Sequence, residues 1–191
     1  NRAKWSPFAK KMLKLGEWCA VKCANKVIVV GKSLTESLKQ EYAKQEQKFV
    51  HIPNGASISG LELASEQVLA NTGLAILPGE YILAVSRLVP EKGIHDLIAA
   101  YKQSQQNKKL LIVGAADHKD AYSESLMKEA SDRILFAGRR SGAELASIFK
   151  YCSLFVLPSY HEGLPIVALE AMSVNSPVLL SDIEPNMDVG L

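Results

Sequence analysis

From residue 80 onward, short apolar runs alternate with amphipathic segments, and this alternation limits the folds open to the chain more than any other feature. We predict a strand for each run, because each is short, rich in branched residues and bounded by polar or turn-forming residues. These strands are 81–86, 109–114, 133–137, 154–158 and 177–181. The helices predicted between them are 93–105, 120–131, 141–151 and 164–174. Apolar strands that alternate with helices are typical of a parallel sheet covered on both faces, so the predicted class is α/β with a Rossmann-like sheet.

The first 55 residues show the same alternation with fewer elements. An amphipathic helix is predicted over 4–24, because apolar residues recur there at steps of three and four. Those residues are Trp5, Phe8, Met12, Leu15 and Cys19. Strands are predicted at 26–30 and 49–53, with a helix between them that has Ser33 as its N-cap. This part of the chain is therefore expected to be βαβ-like.

Residues 56–79 interrupt the alternation. Turn-forming and small residues mark this region in the stretches PNG, SISG and LPGE, and only 61–70 resembles a short helix. We therefore predict a first part over 1–55, a linker over 56–79 and a second domain over 80–191.

Composition and charge narrow the class of protein. The chain has 191 residues, 48% of them hydrophobic, which is enough to bury a sizeable core. No apolar run reaches the roughly 18 residues of a membrane span and no signal-peptide pattern is found, so we expect a soluble, cytoplasmic protein. Residues 1–50 hold eleven Lys/Arg and four Asp/Glu, a balance of +7. A solvated face and peripheral association with the inner membrane surface both remain open explanations of that excess. Nucleic acid is not expected as a partner, because the basic residues are scattered among apolar ones.

The spacing of the residues excludes several familiar sites. GKS at 31–33 resembles the end of a phosphate-binding P-loop, but Lys26 stands where that motif needs glycine. No G-x-G-x-x-G follows a strand, which argues against a dinucleotide site. The Cys and His residues lack the companions that a zinc site requires, and the cysteines are expected to be packed thiols. These residues are Cys19, Cys23, Cys152, His51, His95 and His118.

Two carboxylates lie in the stretch YHEGLPIVALEAM, residues 160–172. Glu162 precedes an apolar helix and Glu170 falls inside it, where we expect burial nearly all round. A lone carboxylate in such a helix costs several kcal/mol unless the protein or a ligand pairs with it. Eight residues of helix would separate the two by roughly 12 Å, wider than the roughly 5 to 9.5 Å of a glycosidase pair. Two separate ligand contacts are therefore favoured, and the amides that open the helix near Gly163 and Leu164 suit a phosphate.

A second candidate stretch, SRLVPEKG at 86–93, follows the first strand of the second domain. Arg87 offers a planar fork of donors and Lys92 a point charge, a combination that suits a diphosphate. The alternative is a solvated loop in which Arg87 pairs with Glu91. The carboxylates of the apolar helix favour the ligand over the solvated loop.

Taken in order, these stretches resemble a known family. HEGLPIVALEAM and PVLLSDIEPN, preceded by SRLVPEKGIHDLIAAY, LLIVG, ILFAG and LFVLPS, resemble the donor-binding half of a group 1 glycosyltransferase, the retaining family called glycosyltransferase family 4. Glu162 and Glu170 match its Glu-x7-Glu signature. Residues 1–55 resemble the end of the family's amino-terminal, acceptor-binding domain. The resemblance implies a GT-B architecture, incomplete in this chain, with 80–191 as a truncated donor-binding domain and a nucleotide sugar in the cleft.

The resemblance also implies a role for each matched residue. Arg87 and Lys92 would hold the diphosphate and offset the charge of the leaving group, and Glu162 would contact the sugar hydroxyls. These three are the expected catalytic residues. The expected donor-binding residues are Glu170 for the ribose, Gly163 and Leu164 for the sugar and phosphate, and Gly138 and Arg139 for the nucleobase. Such enzymes need no metal in the site, and no cofactor is expected besides the nucleoside-diphosphate sugar that serves as donor.

The activity implied is that of a hexosyl-type transferase, acting with retention on a glycan or lipid-linked acceptor such as an envelope polysaccharide precursor. Asn175 replaces a glycine frequent in the family, and we expect it to form a left-handed helix cap. Because the sequence begins at Asn1 rather than Met, we expect a fragment that binds donor and is inactive alone. A non-catalytic sugar-nucleotide-binding module and a related epimerase or phosphorylase remain as alternatives.

Overall fold

The computed structural model describes residues 6–118 and 120–190, and the chain divides into two compact units after Asn54. Trp5, which the spacing assigns to the first helix, lies outside the described residues. The residues of each unit make their contacts mainly within that unit. Which unit binds acceptor and which binds donor remains a prediction.

The described residues of the first unit, from Ser6 to Asn54, form two α-helices and a two-stranded parallel sheet. Its elements are α1 (Pro7–Cys23), β1 (Val27–Val29), α2 (Lys32–Glu41), a 3-10 helix (Ala43–Lys48) and β2 (Phe49–His51). Strand β1 pairs with β2 in parallel, with Val27 opposite Phe49. Helix α2 has Gly31 as its N-cap, because the Gly31 carbonyl accepts from both the amide and the hydroxyl of Thr35. The prediction of Ser33 as the N-cap is therefore wrong.

The second unit follows the predicted alternation of strands and helices. Its elements are a 3-10 helix (Leu61–Leu63), α3 (Glu66–Asn71), β3 (Tyr81–Val85), a 3-10 helix (Pro90–Lys92), α4 (Ile94–Gln103), β4 (Lys109–Val113), α5 (Ala121–Met127), β5 (Ile134–Gly138), α6 (Gly142–Lys150), β6 (Leu154–Leu157), α7 (Ile166–Ser173), β7 (Val178–Leu180), α8 (Glu184–Met187) and a 3-10 helix (Asp188–Gly190). Each strand predicted for this part is present. The short helix α8 is an element that the sequence pattern does not predict.

The strands of this unit form one parallel sheet in the order β5-β4-β3-β6-β7. The chain runs outward from the central strand β3 through β4 to β5, then crosses to the other side of β3 for β6 and β7. In open parallel sheets, ligands bind beyond the carboxyl ends of the strands, at the point where the strand order reverses. That point lies between β3 and β6, so the loops after these two strands are the first candidates for a site.

Alternate residues of the strands pack into two separate cores, one on each face of the sheet. Leu83 and Leu111 lie in the core that contains residues of α3, α6 and α7, whereas Ala84 and Ile112 lie in the core that contains residues of α4 and α5. Period-two side-chain alternation assigns the two cores to opposite faces. The predicted Rossmann-like parallel sheet with helices on both faces is confirmed.

The segment 56–79 belongs to the second unit and packs on it. Ile58, Leu69 and Ile76 are buried in the core of the face formed by α6 and α7. The amide of Ser65 donates to the Ser147 hydroxyl of α6 at 3.2 Å. The segment is thus anchored by apolar burial as well as by hydrogen bonding.

Helix α7 is less buried than the sequence predicts. Ala168 and Ala171 are fully buried, whereas Ile166 and Met172 are 45% and 39% exposed. Packing against the sheet uses the small residues of the helix and leaves larger ones outside, so the expectation of burial nearly all round is wrong. Asn175, just after the helix, has φ of 59°, which confirms the expected left-handed cap.

The cysteines differ in environment. Cys152 is buried, and burial raises the pKa of its thiol. Cys19 and Cys23 are exposed on α1, so the expectation of packed thiols is wrong for these two. Within α1, Val21 is the one buried residue. The regular spacing of apolar residues along this helix therefore does not correspond to a buried face.

Candidate functional site

The loops that follow β3 and β6 are held in close contact by their backbones. A Cβ built on Gly93 would lie 2.2 Å from the Pro158 carbonyl oxygen. Gly93 also has φ of 63°, a conformation that glycine adopts without steric cost. The amide of Tyr160 donates to the Glu91 carbonyl at 2.9 Å. These contacts fix the two loops side by side at the point where the strand order reverses.

Lys92 and Glu162, one from each loop, form an ion pair. The Lys92 Nζ lies 2.5 Å from the Glu162 Oε1, and the side chains are only 16% and 10% exposed. A pair with so little hydration interacts more strongly than a surface pair. The fold therefore joins two of the predicted site residues that are 70 positions apart in the sequence.

Arg87 pairs with two carboxylates of the protein. Its Nη1 lies 3.0 Å from the Asp117 Oδ2, and its Nη2 lies 3.5 Å from the Glu91 Oε1. The contact with Glu91 is the one expected of a solvated loop. Asp117 comes instead from the loop after β4, so the guanidinium joins two loops of the carboxyl edge. The Arg87 side chain is half exposed, which leaves it accessible to a ligand.

Asp117 also reaches the loop after β5. Its Oδ1 lies 3.2 Å from the Arg139 Nη2, so one carboxylate bridges two guanidinium groups. Arg139 directly follows Gly138, the last residue of β5, which has φ of 67°. Asp117 is not among the site residues predicted from the sequence. Its only signal was an acidic residue a few positions beyond the end of a predicted strand.

The segment that opens α7 is short and partly exposed. Pro165 is the N-cap, and its carbonyl accepts from the Ala168 amide at 2.9 Å. The helix begins at Ile166, two residues after the predicted start. Gly163 is exposed, and Leu164 is partly buried against the core. Amides at the start of a helix carry partial positive charge, so this segment is suited to an anionic ligand.

Glu170 lies within α7 and is partly buried. Within residues 6–118 and 120–190 its carboxylate has neither a hydrogen bond nor an ion pair. Burial raises the pKa of Glu170 above its usual value, because the charged form loses water without gaining a partner. Both carboxylate oxygens therefore remain available to accept hydrogen bonds from a ligand.

At this edge of the sheet, each predicted cationic contact is paired with an acid of the protein. The pairs are Lys92 with Glu162, Arg87 with Asp117 and Glu91, and Arg139 with Asp117. An incoming phosphate must therefore exchange partners with a carboxylate. Cations from two loops, helix-start amides and a free carboxylate acceptor suit a ligand that carries both phosphate and hydroxyl groups.

In the described part of the chain, His, Cys, Asp and Glu side chains do not gather in threes as they would around a metal ion. None of the helices there combines the length and the apolar character needed to cross a bilayer.

Comparison with known proteins identifies relatives of the chain. The family model described as glycosyl transferases group 1 matches residues 73–189. An uncharacterized glycosyltransferase of Methanocaldococcus jannaschii is 33% identical over 171 residues, which is 85% of this chain and 44% of the relative. The capsular polysaccharide biosynthesis glycosyltransferase CapM of Staphylococcus aureus is 27% identical over 202 residues, which is 95% of this chain and 50% of the relative. The chain thus spans about half the length of these relatives.

A solved structure supports the fold. The crystal structure of Anabaena Alr3699/HepE in complex with UDP and glucose matches with a TM-score of 0.76 and 23% identity, covering 95% of this chain and 51% of that one. The expected fold class, a parallel sheet of the GT-B type with helices on both faces, agrees with this likeness.

Proposed function

The chain belongs to the group 1 glycosyl transferases, and from this premise we propose that it binds a nucleoside-diphosphate sugar at the carboxyl edge of its five-stranded sheet. The observation that carries the proposal is the Lys92–Glu162 pair, because it joins the loops after β3 and β6 where the strand order reverses. The Anabaena protein of similar fold was crystallised with UDP and glucose.

Arg87 and Lys92 are proposed to bind the diphosphate. On binding, Lys92 exchanges the Glu162 carboxylate for a phosphate oxygen, and Arg87 exchanges Asp117 in the same way. The exchange releases Glu162 to accept hydrogen bonds from hydroxyls of the sugar. When the bond between sugar and phosphate breaks, the two cations stabilise the charge that develops on the leaving diphosphate.

The remaining predicted residues are proposed to hold the rest of the donor. Glu170 would accept hydrogen bonds from the ribose hydroxyls, which would supply the partner that its carboxylate lacks among residues 6–118 and 120–190. The Gly163 and Leu164 amides would contact the sugar and phosphate. Gly138 and Arg139 would lie beside the nucleobase.

For the whole protein we propose hexosyl transfer with retention, as in glycosyltransferase family 4, to a glycan or lipid-linked acceptor. The relatives are transferases, so the binding-only module and the epimerase are not favoured. We propose that donor binding needs no metal, because Arg87 and Lys92 offset the diphosphate charge that a divalent ion would otherwise balance.

Helix α1 supports a membrane-proximal acceptor. Phe8, Met12 and Leu15 are at least half exposed on it, and its Lys10, Lys11, Lys14 and Lys22 are exposed as well. Apolar residues beside lysines favour the surface of an anionic bilayer.

The binding of the chain to an anionic bilayer is tested by sedimentation with phosphatidylglycerol and phosphatidylcholine vesicles. Preference for phosphatidylglycerol should be lost when Lys10, Lys11 and Lys14 become Gln, and equal sedimentation with both lipids would contradict the proposal.

A matched control places the same loss of charge elsewhere in the first unit. Lys32, Lys39 and Lys44 lie on α2 and the turn that follows it. Their replacement by Gln should leave most of the vesicle binding in place. An equal loss in this control would mean that net charge alone causes the binding.

The donor site is tested by calorimetric titration of the chain with UDP, GDP, ADP and CMP in the presence of EDTA. We expect one diphosphate to bind. Arg87→Ala should weaken that binding about 10- to 100-fold, since a hydrogen bond to a charged group contributes about 1.5 to 3 kcal/mol. Glu170→Ala should weaken it about 3- to 10-fold. Failure of all four nucleotides to bind, or an unchanged affinity in Arg87→Ala, would overturn the proposal.

A further inference from the structure

Four side chains beside the proposed site form a hydrogen-bonded chain that the site itself does not use. The Tyr160 hydroxyl contacts the Asp96 Oδ2 and lies 3.3 Å from the His95 Nε2. The His95 Nδ1 lies 2.9 Å from the Tyr122 hydroxyl. The His95 ring packs edge-on against both tyrosine rings, with centroid distances of 5.6 Å to Tyr122 and 6.0 Å to Tyr160. The four residues come from the first turns of α4 and α5 and from the loop after β6.

With a neutral imidazole and an ionised carboxylate, one set of donors and acceptors satisfies these hydrogen bonds. An ionised carboxylate only accepts, so the Tyr160 phenol donates to Asp96. In the neutral tautomer that carries its hydrogen on Nε2, His95 donates from Nε2 to the phenol oxygen of Tyr160. The other ring nitrogen, Nδ1, then accepts from the Tyr122 hydroxyl. The hydrogen bond to Asp96 raises the pKa of Tyr160, because a carboxylate acceptor favours the protonated phenol. All four groups can thus be satisfied together.

Tyr160 stands two residues before Glu162, and besides the contact with His95 three further contacts fasten this short segment to the β3–α4 region. The amide of Tyr160 donates to the Glu91 carbonyl. Its phenol donates to Asp96, and the Glu162 carboxylate pairs with Lys92. When a phosphate takes Lys92 away from Glu162, the contacts of Tyr160 with Glu91, Asp96 and His95 still hold the segment against the β3–α4 region.

We infer that Tyr160, held by Asp96 and His95, is a positioning residue that keeps Glu162 in place for the donor sugar. The inference rests on the proposed function, because it assigns Tyr160 to the binding of the same donor. Replacement of Tyr160 should therefore affect the binding of the sugar and the binding of the nucleotide differently. Loss of the phenol should weaken contacts made through Glu162, which serve the sugar, and should leave contacts made through Arg87, which serve the nucleotide.

The test compares UDP with UDP-glucose, or GDP with GDP-mannose if the titration above selects GDP, in the wild-type chain and in Tyr160→Phe. The readout is the ratio of the two dissociation constants. The variant should bind the diphosphate with unchanged affinity and the nucleotide sugar about 3- to 10-fold more weakly, as expected for the loss of about one hydrogen bond. Asp96→Ala should lower the preference for the nucleotide sugar in the same way. Asp96→Asn, which keeps an acceptor oxygen, should retain most of it.

Tyr42→Phe is the matched control, because Tyr42 also donates from its phenol to a carboxylate, the Glu17 Oε1, at 2.8 Å in the first unit. This control should leave the ratio unchanged. Equal weakening of both ligands in Tyr160→Phe, or no change in either, would overturn the positioning role while leaving the proposed donor site intact. Failure of the wild-type chain to bind any of the nucleotides would overturn the proposed function and this inference with it.

Discussion

Lys92 and Glu162 neutralise each other across the point where the strand order of the sheet reverses, with 2.5 Å between Nζ and Oε1. The sequence suggests separate contacts for them, one with phosphate and one with sugar. In the unliganded site, the positive charge of Lys92 and the negative charge of Glu162 are therefore in contact with each other. Donor binding is then an exchange of partners, and its net free energy is smaller than the number of contacts suggests.

Lys92→Ala should lower the free energy of unfolding by about 1 to 3 kcal/mol, because it leaves the poorly hydrated Glu162 carboxylate unpaired. Urea denaturation measures the change. Lys39→Ala is the control, since Lys39 pairs with Glu36 at side-chain exposures of 36% and 59%, and its loss should cost less than about 0.5 kcal/mol. The double variant Lys92→Ala, Glu162→Gln should recover part of the stability. Equal costs for the two single variants would contradict the interpretation.

Asp117→Asn should tighten the binding of the diphosphate about 3- to 10-fold, because it removes a carboxylate that competes with the phosphate for Arg87. Calorimetric titration gives the affinity. Glu129→Gln serves as control, because Glu129, in the loop after α5, pairs with Lys102 of α4 and its replacement should leave the affinity unchanged. Weaker binding by Asp117→Asn would mean that the carboxylate orients the two guanidinium groups instead of competing for them.

Glu170→Gln should stabilise the chain at neutral pH and weaken donor binding. The pKa of Glu170 is raised by burial, so the folded state holds its proton to higher pH than the unfolded state does. The loss of folding stability caused by the buried Glu170 carboxylate is therefore absent well below the unfolded-state pKa. It appears as pH rises through the folded-state pKa. The gain should be at most about 1 kcal/mol, because the carboxylate is only partly buried and water screens it.

The measurement for Glu170→Gln is urea denaturation between pH 3 and pH 8. The difference from the wild type should grow with pH. Glu124→Gln, which changes an exposed glutamate of α5, should show no such trend. A variant that is less stable than the wild type at neutral pH would show that the carboxylate has a stabilising partner.

Gly93→Ala should destabilise the second unit more than Gly73→Ala does. Both glycines have positive φ, of 63° and 71°, but a Cβ at Gly73 would meet nothing within 4 Å. At either site, an alanine in this left-handed backbone conformation costs about 1 to 2 kcal/mol. At Gly93 the approach to Pro158 adds about 1 to 3 kcal/mol. Thermal unfolding of the two variants compares them, and equal shifts in midpoint would show that the two loops separate without cost.

The strand β4 could be predicted from the sequence because burial on both faces leaves only apolar residues after Lys109. Leu110, Leu111, Ile112 and Val113 are all buried, and this is what a continuous apolar run in a parallel sheet requires. Helix α7 shows the limit of the same reasoning. An apolar run of this kind does not indicate which face packs, and Ile166 proved to be exposed.

The local Arg87–Glu91 pair could be anticipated from spacing, but the ion pairs between loops could not be predicted, because they depend on the strand order. Nothing in the local sequence indicates that the loops after β4 and β5 are neighbours, and the Asp117–Arg139 contact follows from that adjacency. His95 illustrates the same point. It has no companion at ligand spacing along the chain, yet the fold surrounds it with Tyr122 from one element and Tyr160 from another.

The central position of β3 also sets the order in which the molecule can be assembled. Ile82 of β3 pairs with Leu154 of β6, so one edge of the central strand stays open until the chain has been made through β6. Contacts this distant in sequence form slowly, since a long loop must close first. The loops that carry Lys92 and Glu162 can meet only in that late step. During synthesis on the ribosome, recognition of a nucleotide sugar would therefore be among the last properties that this unit acquires.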